Sequence, residues 1–199
     1  MADVVAEAEE ELGRIDAVAG DGDHGRGMVR GTAAARAAAR AALDDGAGAG
    51  SVCAAAGDAW AARAGGTSGV LWGAALAAFG QRLGAATAPT AKDVAAGVRD
   101  GYDALIKLGG AQPGDKTMLD ALLPFSQTLT ESVGAGHPLA EAWSAAAERS
   151  DGAARATADL RPKVGRARPL AERSVGTPDA GATSLALCMR AVGRVLSST

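Results

Sequence analysis

The chain is predicted to be all-α: one domain over residues 1–199, built from antiparallel neighbouring helices joined by loops. Three observations lead there. Hydrophobic residues make up 48% of the sequence, yet most of them are alanine and aromatics are only 3%. Alanine has the highest intrinsic helix propensity, and its small side chain lets helices approach closely. Strand formers never gather into alternating runs, and glycine and proline clusters recur at intervals that cut the chain into helix-length pieces. A chain of 199 residues is long enough to bury a core of its own.

Eight helices are expected. The first covers residues 2–12 and is followed by a loop rich in aspartate and glycine. The second runs over 27–43, rich in alanine and arginine, and ends in the turn 44–50. The third spans 51–63. Gly65-Gly66-Thr67-Ser68-Gly69 interrupts it before a fourth that ends near Leu83. Thr90 is the expected N-cap of the fifth, with Asp93 in the first turn, and that helix ends near Leu108. A loop with Gly-Gly and Pro-Gly signals covers 109–116. The sixth helix spans 117–133, with Pro124 as a candidate kink. The seventh opens after His137-Pro138 and reaches 158. An irregular, arginine-rich stretch over 159–179 precedes the last helix, 182–196. In an up-and-down arrangement alternate loops open at one end. The loops after the first, third, fifth and seventh helices hold the unusual polar residues, so a single site at one end is expected.

Composition excludes some functions. A net charge of −3 offers no basic face for nucleic acid. No apolar stretch is long enough to span a bilayer. The N-terminal residues are acidic, unlike a signal peptide, so the expected location is the cytoplasm. Cys53 and Cys188 lack metal-ligand spacing and read as small apolar core residues in a reducing compartment. Trp60, Trp72 and Trp143 fall inside helices and are expected in the core, and His137 reads as a turn residue.

Chemistry is concentrated in Asp16, Asp21 and Asp23, three carboxylates within one glycine-punctuated stretch. Carboxylates so close repel, and a divalent cation relieves the repulsion. An all-oxygen ligand set suits Mg²⁺ better than zinc, and magnesium in enzymes commonly accompanies phosphate. An EF-hand is excluded, because Gly25 takes a ligand position and no closing glutamate follows. The Gly65–Gly69 stretch places free amides and two hydroxyls at a helix start. It is either a phosphate cradle or a plain helix–helix turn. No Walker A tail follows it, and Gly114-Asp115-Lys116-Thr117 lacks the strand and Gly-Lys pair of a P-loop. Met118 is either core or a platform for a purine. Arg161, Lys163, Arg166, Arg168 and Arg173 form either a solvated face or a source of a phosphate-binding arginine. His24 is a ligand, a base or a structural group.

Taken together, several blocks resemble the nucleotide-binding (L) domain of dihydroxyacetone kinases. They are Asp16-Ala-Val-Ala-Gly-Asp21-Gly-Asp23-His24-Gly25-Arg26-Gly27-Met28, Gly65-Gly-Thr-Ser-Gly69, Gly114-Asp-Lys-Thr-Met-Leu-Asp-Ala-Leu122, Gly165-Arg166-Ala, Glu172-Arg173-Ser-Val-Gly176 and Asp179-Ala-Gly-Ala-Thr-Ser184. They follow the family's order over nearly the whole chain. The stretch before the aspartates is shorter than is usual in that family.

The resemblance implies an eight-helix antiparallel barrel with the nucleotide at one rim. Asp16, Asp21 and Asp23 would bind two Mg²⁺ ions that bridge to nucleotide phosphates. His24, Gly25, Arg26 and Gly27 would line the nucleotide site, and Thr67 and Ser68 would hold phosphate. Gly109 and Met118 would flank the adenine, with Arg166 and the Asp179-Ala180-Gly181 turn completing the pocket. The implied activity is phosphoryl transfer from ATP to a short ketose, dihydroxyacetone or erythrulose. The ketose would be held covalently by a histidine of a separate K-type subunit or domain, so no catalytic residue is expected here. Gly22 and Gly27 resemble the ATP-using branch. The alternatives are a phosphotransferase-system-coupled subunit with permanently bound ADP and a non-catalytic nucleotide sensor. A homodimer is a further option.

Overall fold

The computed structural model describes residues 1–198, which are all-helical as predicted, with ten α-helices and no strand among them. They are α1 (Ala2–Glu7), α2 (Glu9–Ala17), α3 (His24–Asp44), α4 (Ala49–Ala64), α5 (Gly66–Leu83), α6 (Ala91–Gly109), α7 (Leu119–Gly134), α8 (Leu139–Ala156), α9 (Ala171–Ser174) and α10 (Ala180–Leu196). All eight predicted helices are present. Two short ones are additional. The first predicted helix is split at Ala8, whose φ of −96° and ψ of 5° depart from helical geometry. The arginine-rich stretch also contains α9, flanked by two single 3₁₀ turns, Thr157–Asp159 and Arg168–Leu170.

Helix ends account for the other differences. The helix before the aspartates extends to Ala17, so Asp16 belongs to its last turn and not to the loop as expected from sequence. Gly13, which discourages helix in a sequence reading, is carried through because α2 packs against α10. The helix after the loop starts three residues early, at His24. Where local chemistry is strong the expectation holds: Thr90 caps α6 in a full capping box with Asp93, and the left-handed Gly110 closes the same helix.

The chain divides into two compact units. One comprises Asp3–Arg26 and the chain from Ala111 onward, and the other is Gly27–Gly110. In the first, α7 packs on α8, and α10 lies against α7, α8 and α2. Phe125 and Trp143 meet edge to face with ring centroids 4.9 Å apart. The Trp143 indole donates to the Met189 carbonyl at 2.8 Å, so its buried N–H is satisfied.

In the second unit α5 packs between α4 and α6. The α4–α5 crossing is made by glycine. A side chain on Gly50 would meet the Gly80 carbonyl at 2.5 Å and overlap that of Gly84. One on Gly57 would meet the Gly73 carbonyl at 2.9 Å. These contacts pair the start of α4 with the end of α5, which fixes an antiparallel arrangement joined by Gly65 alone. Trp60 and Trp72 stack in the same layer at 4.6 Å, with their planes 8° apart. Cys188 is fully buried and its thiol is pushed up to about 12 by burial, as suits an apolar core residue.

Gly50→Ala should destabilise the protein by about 1–3 kcal/mol through overpacking against backbone. Gly152→Ala, on a helical site with open space around it, should stabilise by about 0.5–1 kcal/mol. Urea unfolding of the two variants checks both; equal effects would show that backbone proximity does not set the crossing.

Candidate functional site

Three glycines shape the aspartate loop, each for a different reason. The chain folds back over Asp16 at Gly20, where an added Cβ would stand 2.5 Å from Asp16 Oδ1 and 2.9 Å from the Asp16 carbonyl. Gly22 adopts φ +73°, in the left-handed region that side chains resist. Gly25, in the first turn of α3, lies so close to the Glu9 carbonyl that any Cβ would overlap it. The result is convergence: one oxygen from each of Asp16, Asp21 and Asp23 lies within 4.8 Å of the other two.

Two of the three charges are answered within the protein. The Arg166 guanidinium donates to Asp21 Oδ2 and, at 3.3 Å, to Asp23 Oδ1. Desolvation acts to raise the Asp21 carboxyl. The Arg166 charge and hydrogen bonds from Asp23 outweigh it and hold the group below its ordinary value. Asp16 is different. Its Oδ2 is buried and has no hydrogen-bond partner. A buried acceptor left unpaired carries its full desolvation cost, and a cation among the three carboxylates would remove it. The donors are all hard oxygens with no sulfur or imidazole among them, which fits Mg²⁺.

His24, the first residue of α3, sits beside this cluster and faces α10. Its Nε2 lies 2.9 Å from the Ser184 hydroxyl, and that hydroxyl lies 3.1 Å from the Gly181 carbonyl it donates to. Burial pushes the imidazole below its ordinary value, against the raising effects of Asp16, Asp23 and a backbone bond to Ala180. Ser184 was not singled out in the sequence, although it falls one turn after the Asp179 cap, on the face that returns to the loop.

The Asp179-Ala180-Gly181 turn begins α10. Asp179 is its N-cap and accepts from the Ala182 amide at 2.7 Å. Its own amide donates to Thr157 Oγ1 at 2.8 Å. The carboxyl group is enclosed, and burial raises it to about 6. Asp120 adds to the rise, while the Ala182 amide, Lys116 and the Gly181 amide oppose it. Met118 is 7% exposed and lies against Gly181, whose Cβ position is 3.6 Å from the Met118 Cβ. The loop before it is tied down by Asp120, which accepts from the Gly114 and Thr117 amides.

Of the four loops expected to converge, three therefore meet within the first unit: the aspartate loop, the part of the third loop from Ala111 onward and the arginine-rich stretch. Of the five cations in that stretch, Arg166 reaches the aspartates. Arg161 pairs with Glu172, and Lys163 lies 3.6 Å from Asp115. Arg26 is exposed on the first turn of α3. Gly27, Thr67, Ser68 and Gly109 belong to the second unit. There, Thr67 and Ser68 occupy the first turn of α5, whose amides have no intrahelical acceptor. Thr67 is exposed and Ser68 half-buried. Gly109 is the exposed last residue of α6.

Comparison with known proteins gives a consistent answer. The profile of the DAK2 domain matches residues 18–194. The chain is similar to a D-erythrulose kinase of Mycolicibacterium smegmatis, with 70% identity over 192 residues, covering 96% of this chain and 33% of that enzyme. It is also similar to DhaL, the ADP-binding subunit of the PEP-dependent dihydroxyacetone kinase of Escherichia coli, at 33% identity over 94% of this chain and 89% of that subunit. Among solved structures, the native dihydroxyacetone kinase of C. freundii superposes with a TM-score of 0.71 at 26% identity, over 98% of this chain and 32% of that one. The same enzyme in complex with AMP-PNP and Mg²⁺ shares the fold, with a TM-score of 0.66 at 24% identity over the same shares. This chain thus spans about a third of the length of the erythrulose kinase it resembles.

The raised Asp179 carboxyl has a measurable signature. The unfolded chain gives up this proton near pH 4 and the folded chain near pH 6, so the group's contribution to stability falls between those values and is level above them. Asp179→Asn keeps an oxygen for the Ala182 amide and removes the ionisation. The unfolding free energy of the wild type minus that of the variant should drop by about 2 kcal/mol between pH 4 and pH 7, read from urea unfolding at each pH. A constant difference would mean that the carboxyl is not displaced.

Proposed function

The chain belongs to the DAK2 domain family, and from that premise we propose that it is the nucleotide-binding part of a kinase that phosphorylates a short ketose, with erythrulose the first candidate. The observation that carries this reading is the buried, unpartnered Oδ2 of Asp16 beside the converging carboxylates of Asp21 and Asp23. A cation would satisfy that oxygen, and the C. freundii kinase that shares the fold was solved in complex with AMP-PNP and Mg²⁺.

In this reading Asp16, Asp21 and Asp23 would hold Mg²⁺, two ions being the number the family resemblance implies. Bound there, Mg²⁺ would neutralise charge on the nucleotide phosphates during phosphoryl transfer. The protein's own part is positioning. The first-turn amides of α5, with the Thr67 and Ser68 hydroxyls, supply neutral donors to phosphate oxygens. Arg166 exchanges carboxylate partners for phosphate ones, which its planar fork suits. His24, whose burial pushes the imidazole below its ordinary value, lines the site with Gly25, Arg26 and Gly27. Gly109 and Met118 flank the adenine, and Asp179, Ala180 and Gly181 close the pocket through backbone groups.

The erythrulose assignment is supported by the 70% identity to an enzyme of that name. The ketose itself would be held by a K-type subunit or domain. ATP as donor is supported by the glycine form of the loop, since the left-handed Gly22 is where the ADP-retaining branch typically carries alanine. The second reading, a permanently bound ADP recharged by a phosphotransferase-system protein, is favoured by the match along most of DhaL. Purification distinguishes them: ADP that survives gel filtration supports the second reading, and a nucleotide-free, ATP-exchanging protein the first.

Asp23→Ala should weaken Mg²⁺-dependent ATP binding by ~100-fold or more, since even outer-shell partners of a metal are worth 10–100-fold. Its helical circular dichroism should be unchanged. Calorimetric titration with and without Mg²⁺ checks this, and undiminished ATP affinity in the variant would refute the metal assignment.

A further inference from the structure

Lys116 is the one non-glycine residue among those described with a positive φ, +63°, and it is also buried, with 3% exposure. Either property is uncommon for lysine. Left-handed backbone without glycine carries strain that surrounding contacts must hold, and a buried ammonium must find acceptors. Burial lowers the ammonium from its ordinary value, against Asp179 and Asp159, which raise it.

The acceptors identify a purpose. Lys116 Nζ donates to the Leu160 carbonyl at 3.1 Å and to the Ser174 carbonyl at 2.7 Å. Those two carbonyls are the two ends of a thirteen-residue excursion, 161–173, that carries Arg166 near its middle. One further backbone bond closes the base of the same excursion, from the Gly176 amide to the Ala158 carbonyl at 2.9 Å. The Lys163 amide also bonds back to the Asp115 carbonyl at 3.1 Å, beside the lysine. The excursion itself contains only isolated 3₁₀ and α turns. Its side chains are mostly exposed, so little packing holds its shape.

We propose that Lys116 is a positioning residue: its ammonium ties together the two ends of the 161–173 excursion and thereby sets where Arg166 stands over Asp21 and Asp23. The left-handed turn at residue 116 is what aims the side chain inward at both carbonyls. The assignment of Arg166 to phosphate rests on the function proposed above, whereas the tie on the excursion does not.

The test has two arms on the purified chain. In the first, Lys116→Met and Lys116→Arg are digested with trypsin and the cuts after Lys163, Arg166 and Arg173, the basic residues of the excursion not followed by proline, are timed by mass spectrometry. Cleavage there should be at least ~10-fold faster in Lys116→Met, with the remaining sites unaffected and partial rescue in Lys116→Arg, as expected for a local opening. In the second, Mg²⁺-ATP affinity is measured for Lys116→Met, Arg166→Ala and the double variant. If the lysine acts through Arg166, the loss caused by Lys116→Met disappears in the Arg166→Ala background. An equal loss in both backgrounds, unchanged cleavage, or failure of both Lys116 variants to fold would each overturn the proposal, the last because it would make the lysine a support of the whole fold. Absence of Mg²⁺-ATP binding by the wild type would refute the kinase reading and leave the proteolysis arm to decide the tie.

Discussion

Mutual repulsion among Asp16, Asp21 and Asp23 is the constraint around which the first unit is arranged. Their oxygens come within 4.8 Å, a spacing at which like charges repel and a nearby cation is favourable. Arg166 supplies part of it, from a residue 143 positions away from Asp23. The rest is left open at Asp16, whose buried oxygen has no partner. The surrounding design serves this arrangement: α2 delivers one carboxylate from its last turn, a loop bent by glycine delivers the other two, and α10 holds the neighbouring imidazole through Ser184.

Where the sequence carried strong local chemistry, it was read correctly. Thr90 and Asp93 spelled out a cap, the tryptophans sit in cores, and glycine clusters marked the breaks. The aspartate cluster is visible because three acids in so few residues, with glycines between them, are more than a single capping turn needs. Two kinds of information were not local. The helix end near Asp16 goes with the packing of α2 against α10, which overrides the propensity of Gly13, and the start of α3 at His24 goes with the close approach of Gly25 to the Glu9 carbonyl of α2. Which of five cations meets the aspartates depends on the path of an irregular stretch, and residue type alone could not separate Arg166 from Arg161, which pairs with Glu172. Lys116 was passed over because its neighbourhood resembled a poor P-loop. Neither its backbone conformation nor the two carbonyls it serves leaves a trace in composition.

The second unit solves a different problem. With few aromatics to fill space, α4 and α5 approach until backbone meets backbone, and glycines at 50, 57, 73 and 80 make the approach feasible. Glycine in a helix costs conformational entropy, and the stacked pair of Trp60 and Trp72 supplies apolar burial in the same layer. Close helix packing of this kind leaves α5 little freedom to shift, which keeps its first turn, with Thr67 and Ser68, in fixed register on α4.

The left-handed backbone at Lys116 places two incompatible demands on one codon. Ease of conformation there selects glycine or asparagine, neither of which can extend a charged amine to a distant carbonyl. Reach and charge select lysine or arginine, both of which dislike the torsion. Replacement by glycine or asparagine therefore relieves one demand by worsening the other, and of the single changes only that to arginine leaves both demands as they stand.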